Sequence, residues 1–227
     1  MTVNGITQIA VYFAVLLAAS VPLGNYMAKV YSGASVIISR FVLPLEKLIY
    51  RVCRIDMDHE MTWKEYAGGM IIFSVTGWIF VYLLQRCQAL LPLNPQGLPA
   101  VAPDLAFNTA VSFVTNTNWQ AYGGETTMSF LTQMLGLAVQ NFVSAASGMS
   151  VLIAFVRGLK RTVSQTIGNV WVDLTRSVLY ILLPLSLILA LVLVSQGVVQ
   201  TFHSPVKVEL MEQTADAQGQ AAREADG

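Results

Sequence analysis

Apolar residues run almost unbroken through 6–28, 66–91, 127–156 and 177–199. A helix needs about 20 such residues to cross a bilayer, so each stretch predicts a transmembrane span. The third is over-long: residues 126–156 are uncharged, and as a straight helix they would reach about 46 Å. A tilt, or a break near Gly136 or within 144–148, is expected to absorb the excess. Between the second and third spans the pattern changes. Pro92, Pro95, Pro99 and Pro103 punctuate the chain, and Asp104 is the only charge before Glu125. Residues 110–124 (Ala-Val-Ser-Phe-Val-Thr-Asn-Thr-Asn-Trp-Gln-Ala-Tyr-Gly-Gly) then set polar, backbone-exposing sequence beside membrane-length neighbours. Irregular polar chain at membrane depth is tolerated only where protein buries it or water lines it.

Composition agrees with a membrane protein. Of 227 residues, 55% are hydrophobic and 11% charged, less than half the charged share of soluble domains, and mean hydropathy is +0.59. The net charge of zero gives no electrostatic footprint for nucleic acid. Cys53 and Cys87 lie in different segments with no second ligand nearby, which argues for buried or incidental thiols rather than a disulfide or metal pair. The N-terminus lacks the basic region of a cleavable signal, so the first span reads as retained. Lys29, Arg40, Lys47, Arg51, Arg54 and Lys64 fall in 29–65, and Arg157, Lys160, Arg161 and Arg176 in 157–176, whereas 87–126 has no Lys or Arg. Both basic clusters become cytoplasmic if both termini are outside, which places the polar stretch on the outer side.

Residues 104–114 predict a helix with Asp104 as N-cap, complementing the positive dipole end. Eleven residues give roughly 16 Å, half a bilayer. Span three must start outside, so 115–120 would climb back as extended chain, with Gly123-Gly124 as a flexible turn. A half-helix followed by a strand of free carbonyls is the architecture of cation selectivity filters, in which backbone and Thr or Asn oxygens replace an ion's hydration shell. Neutral oxygen donors suit a monovalent cation; calcium draws in carboxylates. From periodicity alone, a surface loop lying over the spans is the competing reading.

Other features are weighed the same way. Gln140 and Asn141 lie inside span three, either supporting the filter or lining the vestibule, or gluing helices together. Ser144 to Gly148 has small-xxx-small spacing, suited to close helix packing. In 44–54, Leu45, Leu48, Ile49 and Val52 share a helical face with Lys47, Arg51 and Arg54 largely opposite. That pattern predicts an interfacial helix on anionic lipid, with docking onto a pump subunit as the alternative. His59-Glu60 lacks a second histidine and reads as a solvated turn, and no glycine-rich Lys-Ser/Thr loop offers an ATP site.

Asn108-Thr-Ala-Val-Ser-Phe-Val-Thr-Asn-Thr-Asn-Trp-Gln120, Gly124-Glu-Thr-Thr127 and Val139-Gln-Asn-Phe-Val-Ser-Ala-Ala-Ser-Gly148 closely resemble the potassium-binding A subunits of the bacterial Kdp potassium-transporting P-type ATPases. Leu91-Pro-Leu-Asn-Pro-Gln96 and Gly168-Asn-Val-Trp-Val-Asp-Leu174 extend the likeness, which covers nearly the whole chain to about Thr201. Members of that family resemble potassium channels, with four tandem span–half-helix–span repeats in one polypeptide. The resemblance implies an all-α integral membrane fold: a potassium-channel-like span–pore half-helix–span repeat, an extra N-terminal span and the first span of a second repeat. It divides the chain into the extra span (1–29), a cytoplasmic loop with the interfacial helix (30–65) and the first repeat (66–157). A cytoplasmic loop with the next span (158–201) and an external, disordered tail (202–227) follow.

Carried over by position, the resemblance makes Thr115, Asn116, Thr117 and Asn118 potassium-binding filter residues, with Gln120 just outside them. Asn108, Ser112, Gln140 and Asn141 become candidates for pore or filter support. The strand departs from the TVGYG filter of potassium channels in having no glycine between Thr115 and Gln120. K⁺ is the implied transported ion. The implied partners are an ATP-hydrolysing pump subunit, small accessory subunits and the bilayer, and this chain itself is non-catalytic. The implied setting is the bacterial inner (plasma) membrane, multi-pass, with the N-terminus extracytoplasmic. One strand cannot close a ring of carbonyls, so the resemblance also implies a truncated chain, inactive alone. A passive channel or symporter subunit of the same superfamily, and a structural membrane fragment that binds no ion, are the alternatives.

Overall fold

The computed structural model describes residues 2–161 and 164–203. The expectation of a disordered tail falls, from Ser204 onward, outside the described residues. Every regular element among them is a helix, joined by one isolated antiparallel bridge between Thr62 and Thr166. Four helices are long and apolar enough to cross a membrane: Val3–Tyr31, Trp63–Leu90, Thr132–Lys160 and Val170–Ser195.

Helix α1 (Val3–Tyr31) begins where Thr2 Oγ1 accepts the Gly5 N–H. Only its last turns join the bundle: Val30 and Tyr31 are its buried residues, and Tyr31 Oη lies 2.7 Å from Ser177 Oγ. Helix α2 (Ser39–Cys53) closes on Arg54 in a left-handed conformation. Helix α3 (Trp63–Cys87) opens on a capping box: Thr62 Oγ1 accepts from Glu65 N–H while the Glu65 carboxylate accepts from Thr62 N–H. Two orphan amides are thereby satisfied at once. A 3₁₀ turn at Gln88–Leu90 carries α3 to its end.

Helix α4 (Pro103–Val114) is only 12 residues long. Ala102, not Asp104, is its N-cap; Pro103, which has no N–H to leave unpaired, takes the first helical position, and Asp104 sits in the first turn, where it still meets the positive dipole end. Ala106 and Ala110 are fully buried against Val81 of α3 and Phe113, small side chains that let the helices approach closely. Phe107 meets Trp78 edge to face at 5.6 Å.

A one-turn helix, α5 (Gly124–Thr127), precedes the third span, which therefore starts later than expected. Ser129 Oγ accepts the Thr132 N–H at 3.2 Å and restarts the chain. The turns Thr132–Ala138 are widened and π-type, with Gly136 inside them, and α6 (Val139–Lys160) then runs without interruption through 144–148. The expected break near Gly136 is a π-type widening rather than an interruption, and the Thr132–Lys160 helix keeps 29 residues. The fourth span starts earlier than Ser177, because the Asn169 side chain accepts from Trp171 and Val172 N–H and caps α7 (Val170–Arg176). A π-type stretch at Ser177–Leu182 leads into α8 (Leu183–Ser195).

The basic end of the bundle is cross-linked by charge. Arg157 of α6 grips Asp173 of α7 and also donates to the carbonyls of Ile167 and Tyr31. Glu46 of α2 is buried and accepts from Tyr50 Oη at 2.8 Å, Tyr180 Oη at 2.5 Å and Arg176 Nε at 3.1 Å. Glu60 is more than a solvated turn residue: it pairs with Arg161 and accepts from the Thr166 hydroxyl, and the His59 carbonyl accepts from Asn169. Arg161 and Thr166 draw the Glu60 carboxyl down to about 2. Cys53 and Cys87 are both free and exposed, not buried.

Candidate functional site

The polar stretch dips along the bundle and comes back. Its approach is fixed to the end of α3, where Val101 N–H donates to the Gln85 carbonyl and Arg86 reaches the Val101 carbonyl. From there α4 descends beside α3 for about 18 Å. At the foot of α4, Asn116 Oδ1 accepts from Ser144 Oγ at 3.3 Å, close to the middle of the Thr132–Lys160 helix. The chain then climbs, and the Gly124 carbonyl accepts from Gln133 Nε2 near the beginning of that helix.

Main-chain conformation at the foot is unusual. Asn116 and Asn118 both have φ of +56°, a region open mainly to glycine and, among other residues, to asparagine. Thr115 before them has φ −82° and ψ 3°. The segment is therefore not the simple extended chain that 115–120 suggests; it is kinked at alternate residues. The cause lies at the carboxyl end of α4, whose last carbonyls lack intrahelical partners. The Val111 carbonyl accepts from Thr115 N–H, the Phe113 carbonyl from Asn116 N–H, and the Ser112 carbonyl from both Thr117 and Asn118 N–H. Four successive amides are turned back onto the helix end. Among the described residues, the carbonyl oxygens of 115–118 accept no hydrogen bond. Local backbone strain of this kind costs about 1–3 kcal/mol per residue and persists where surrounding contacts impose it.

Side chains brace the same strand. Thr115 and Thr117 hydroxyls lie 2.9 Å apart, Asn118 Nδ2 donates to Asn116 Oδ1 at 3.2 Å, and Ser112 Oγ donates to the Trp119 carbonyl at 3.0 Å. Of the supporting candidates, Ser112 is buried and reaches the strand, whereas Asn108 and Asn141 are exposed. Gln140 is buried but packs on α3: a Cβ added to Gly77 would lie 2.7 Å from its Oε1. No hydrogen bond among the described residues joins Gln140 or Asn141 to 115–120. That role falls to Ser144, whose sequence context signals only a small packing residue.

Two further residues organise the loop. Gln88, fully buried, donates from Nε2 to the Pro99 and Thr127 carbonyls (2.6 and 2.8 Å) and accepts at Oε1 from Ser129 N–H and Thr132 Oγ1 (both 3.1 Å). Gln85, one turn earlier and also fully buried, donates to the Ala106 carbonyl. In sequence both look like the polar fringe of a span, and no local signal sets them apart. Together they hold the approach, α4 and the return at fixed spacing.

Residues 115–120 contain no ionisable side chain. What the strand presents is a set of neutral oxygens, namely four free carbonyls with Thr hydroxyls and Asn amides beside them. Such hard, uncharged donors can replace water around a cation.

Known proteins match this chain throughout. The family profile described as "Potassium-transporting ATPase A subunit" matches residues 10–224. The chain is 58% identical to a "Potassium-transporting ATPase potassium-binding subunit" of Methylococcus capsulatus over 233 residues, covering 100% of this chain and 39% of that relative. For subunits of the same description, identity is 56% in Sorangium cellulosum (99% of this chain, 39% of the relative) and 59% in Herpetosiphon aurantiacus (96% and 38%). The chain thus spans about two fifths of the length of the relatives it matches. Matched over 10–224, and with four membrane-length helices among its described residues, the chain belongs to the potassium-transporting ATPase A subunit family.

Proposed function

We propose that this chain supplies one strand of an extracytoplasmic potassium-selectivity filter within an ATP-driven potassium uptake complex. The observation that carries the reading is the division of labour along 115–118: every amide is bonded to the end of α4, and every carbonyl is left without a donor among the described residues. A cation filter requires that arrangement, because amides facing the ion would repel it. The negative end of the α4 dipole lies at Val114, immediately before this strand. Thr115, Asn116, Thr117 and Asn118 are the coordinating positions, and Gln120 sits at the outer mouth.

On this reading α3, α4 and the Thr132–Lys160 helix form one span–half-helix–span unit spanning 66–157. α1 is the additional span, and the Val170–Ser195 helix opens a second unit. One strand cannot surround an ion, so the site is completed by further strands of the full-length subunit. ATP hydrolysis belongs to a partner subunit. With basic residues concentrated where α1 ends and α3 begins, that end faces the cytoplasm of a bacterial inner membrane and the N-terminus lies outside.

Potassium-dependent ATPase activity of the assembled complex tests the assignment. Substitution of Asn116 or Gln120 raises the potassium concentration required. Unchanged dependence in both variants overturns the site, and potassium flux that needs no ATP favours a passive channel instead.

A further inference from the structure

Helix α2 has three chemically different sides. At about 100° per residue, Phe41, Leu45, Leu48 and Val52 fall within about 40° of one direction. Arg40, Lys47 and Arg51 centre about 100° to one side of that stripe, and Glu46 and Tyr50 about 160° to the other. Only the third side is buried. Glu46 and Tyr50 are 3% and 5% exposed, and Val42 and Ile49 pack beside them on the Tyr31 and Tyr180 cluster. Ile49 thus leaves the apolar face that the sequence pattern assigns it. The stripe itself is open, with Phe41 80%, Leu45 45%, Leu48 53% and Val52 72% exposed. Among the described residues none of the α2 arginines or lysines forms an ion pair, while the helix's one acid, Glu46, is neutralised by Arg176.

We infer that α2 is seated in the headgroup layer of an anionic phospholipid leaflet, its apolar stripe among the upper acyl carbons and its cations among the phosphates. Three observations argue for lipid over a protein partner. The open face pairs an apolar edge with a purely cationic one, the charge pattern that anionic lipid attracts. Glu46 is bonded to Tyr180, well inside the Val170–Ser195 helix, so α2 lies beside the spans rather than beyond their ends. Trp63, 64% exposed at the start of α3 with Lys64 5.7 Å from its ring centre, marks the same interface. The inference rests on the cytoplasmic orientation of this end and is independent of the ion site.

The test uses the assembled transporter with other cysteines replaced and a fluorescent label at Leu48→Cys or Lys47→Cys. Reconstitution is in phosphatidylcholine vesicles with or without about 30% phosphatidylglycerol. Bromine on the acyl chains quenches label 48 at least about threefold more strongly than label 47, and aqueous iodide gives the reverse order. Adding phosphatidylglycerol increases quenching of label 48 in the parent, and Lys47→Gln/Arg51→Gln abolishes that increase. A label 48 shielded from both quenchers identifies a protein partner and overturns the proposal. Strong iodide quenching at 48, or an unaltered lipid response in the double variant, does so too. Phe41→Cys reads the same stripe if the Leu48 variant fails to assemble.

Discussion

Arg157 and Asp173 meet through two parallel bonds, Nη1 to Oδ2 at 2.6 Å and Nη2 to Oδ1 at 2.9 Å, with Asp173 only 1% exposed. Only a planar guanidinium matches both carboxylate oxygens in this way. Removing the cation strands a buried carboxylate, so Arg157→Ala is expected to destabilise the fold by about 3–5 kcal/mol. Arg157→Lys restores only part of that. Thermal melting of the assembled complex checks the order Arg, Lys, Ala; equal melting in all three would show the pair to be dispensable.

Gly77 and Gln140 form a close contact between α3 and α6. A methyl group at 77 meets the end of the Gln140 side chain at 2.7 Å; because that end can turn aside, Gly77→Ala is expected to destabilise the fold by no more than about 1 kcal/mol. Adding Gln140→Ala should recover most of the loss, a coupling that a double-mutant cycle measures directly. Additive effects would separate the two residues.

At Asn116 the left-handed φ and the side chain can be separated. Asn116→Gly keeps the backbone and loses the bonds to Ser144 and Asn118, whereas Asn116→Val adds strain of about 1–3 kcal/mol at φ +56°. The potassium concentration giving half-maximal ATPase activity should therefore rise modestly in the glycine variant and at least about tenfold in the valine variant. A valine variant no worse than glycine would mean that the kink does not matter to the site.

Gln88 is expected to govern selectivity as well as stability, because it holds both limbs of the loop. Gln88→Leu leaves the Pro99 and Thr127 carbonyls and the Ser129 amide without their partner, at about 1–3 kcal/mol for each buried group left unpaired. Discrimination of potassium against rubidium and ammonium, read from ATPase stimulation, should narrow. A loss of melting temperature with unchanged discrimination would confine Gln88 to a structural role.

Glu60 gives a pH dependence of known sign. Its carboxyl is lowered from 4.5 to about 2 by Arg161 and Thr166. The folded state thus favours the charged form, and this contribution is complete above about pH 4.5 and lost as pH falls through about 2. The Glu60 side chain is 46% exposed, so solvent screening holds the pair to about 0.5 kcal/mol. Hydrogen exchange of the Ile167 amide, which donates to the Met61 carbonyl beside Glu60, should accelerate below that window in the parent and show no such step in Glu60→Gln. An identical acid response in both would remove Glu60 as the cause.

The long apolar runs made the four membrane-length helices legible in sequence, and the short run 104–114 gave the end of α4 at Val114, although its N-cap lies two residues earlier than Asp104, at Ala102. Helix starts were less legible. Ser129 and Asn169 cap by side-chain geometry, and neither has a periodic signature. The strand's kinks at Asn116 and Asn118 were hidden because they are imposed from outside, by carbonyls at the end of α4. Arg157 and Arg176 read as cations counted toward orientation, whereas each is bound to an acid distant in sequence. Long-range pairing of this kind leaves no trace in local pattern.

Helix α6 holds the polar strand at one point and α7 at another. Near its middle Ser144 is bonded to Asn116, and near its end Arg157 is bonded to Asp173. The helix thus links the strand to α7 through one continuous element, which also packs on Gly77 and accepts from Tyr66 at the Ser150 carbonyl. Asparagine at 116 therefore does what glycine could not: it takes the same mirror-image conformation while keeping a side chain that ties the strand to α6.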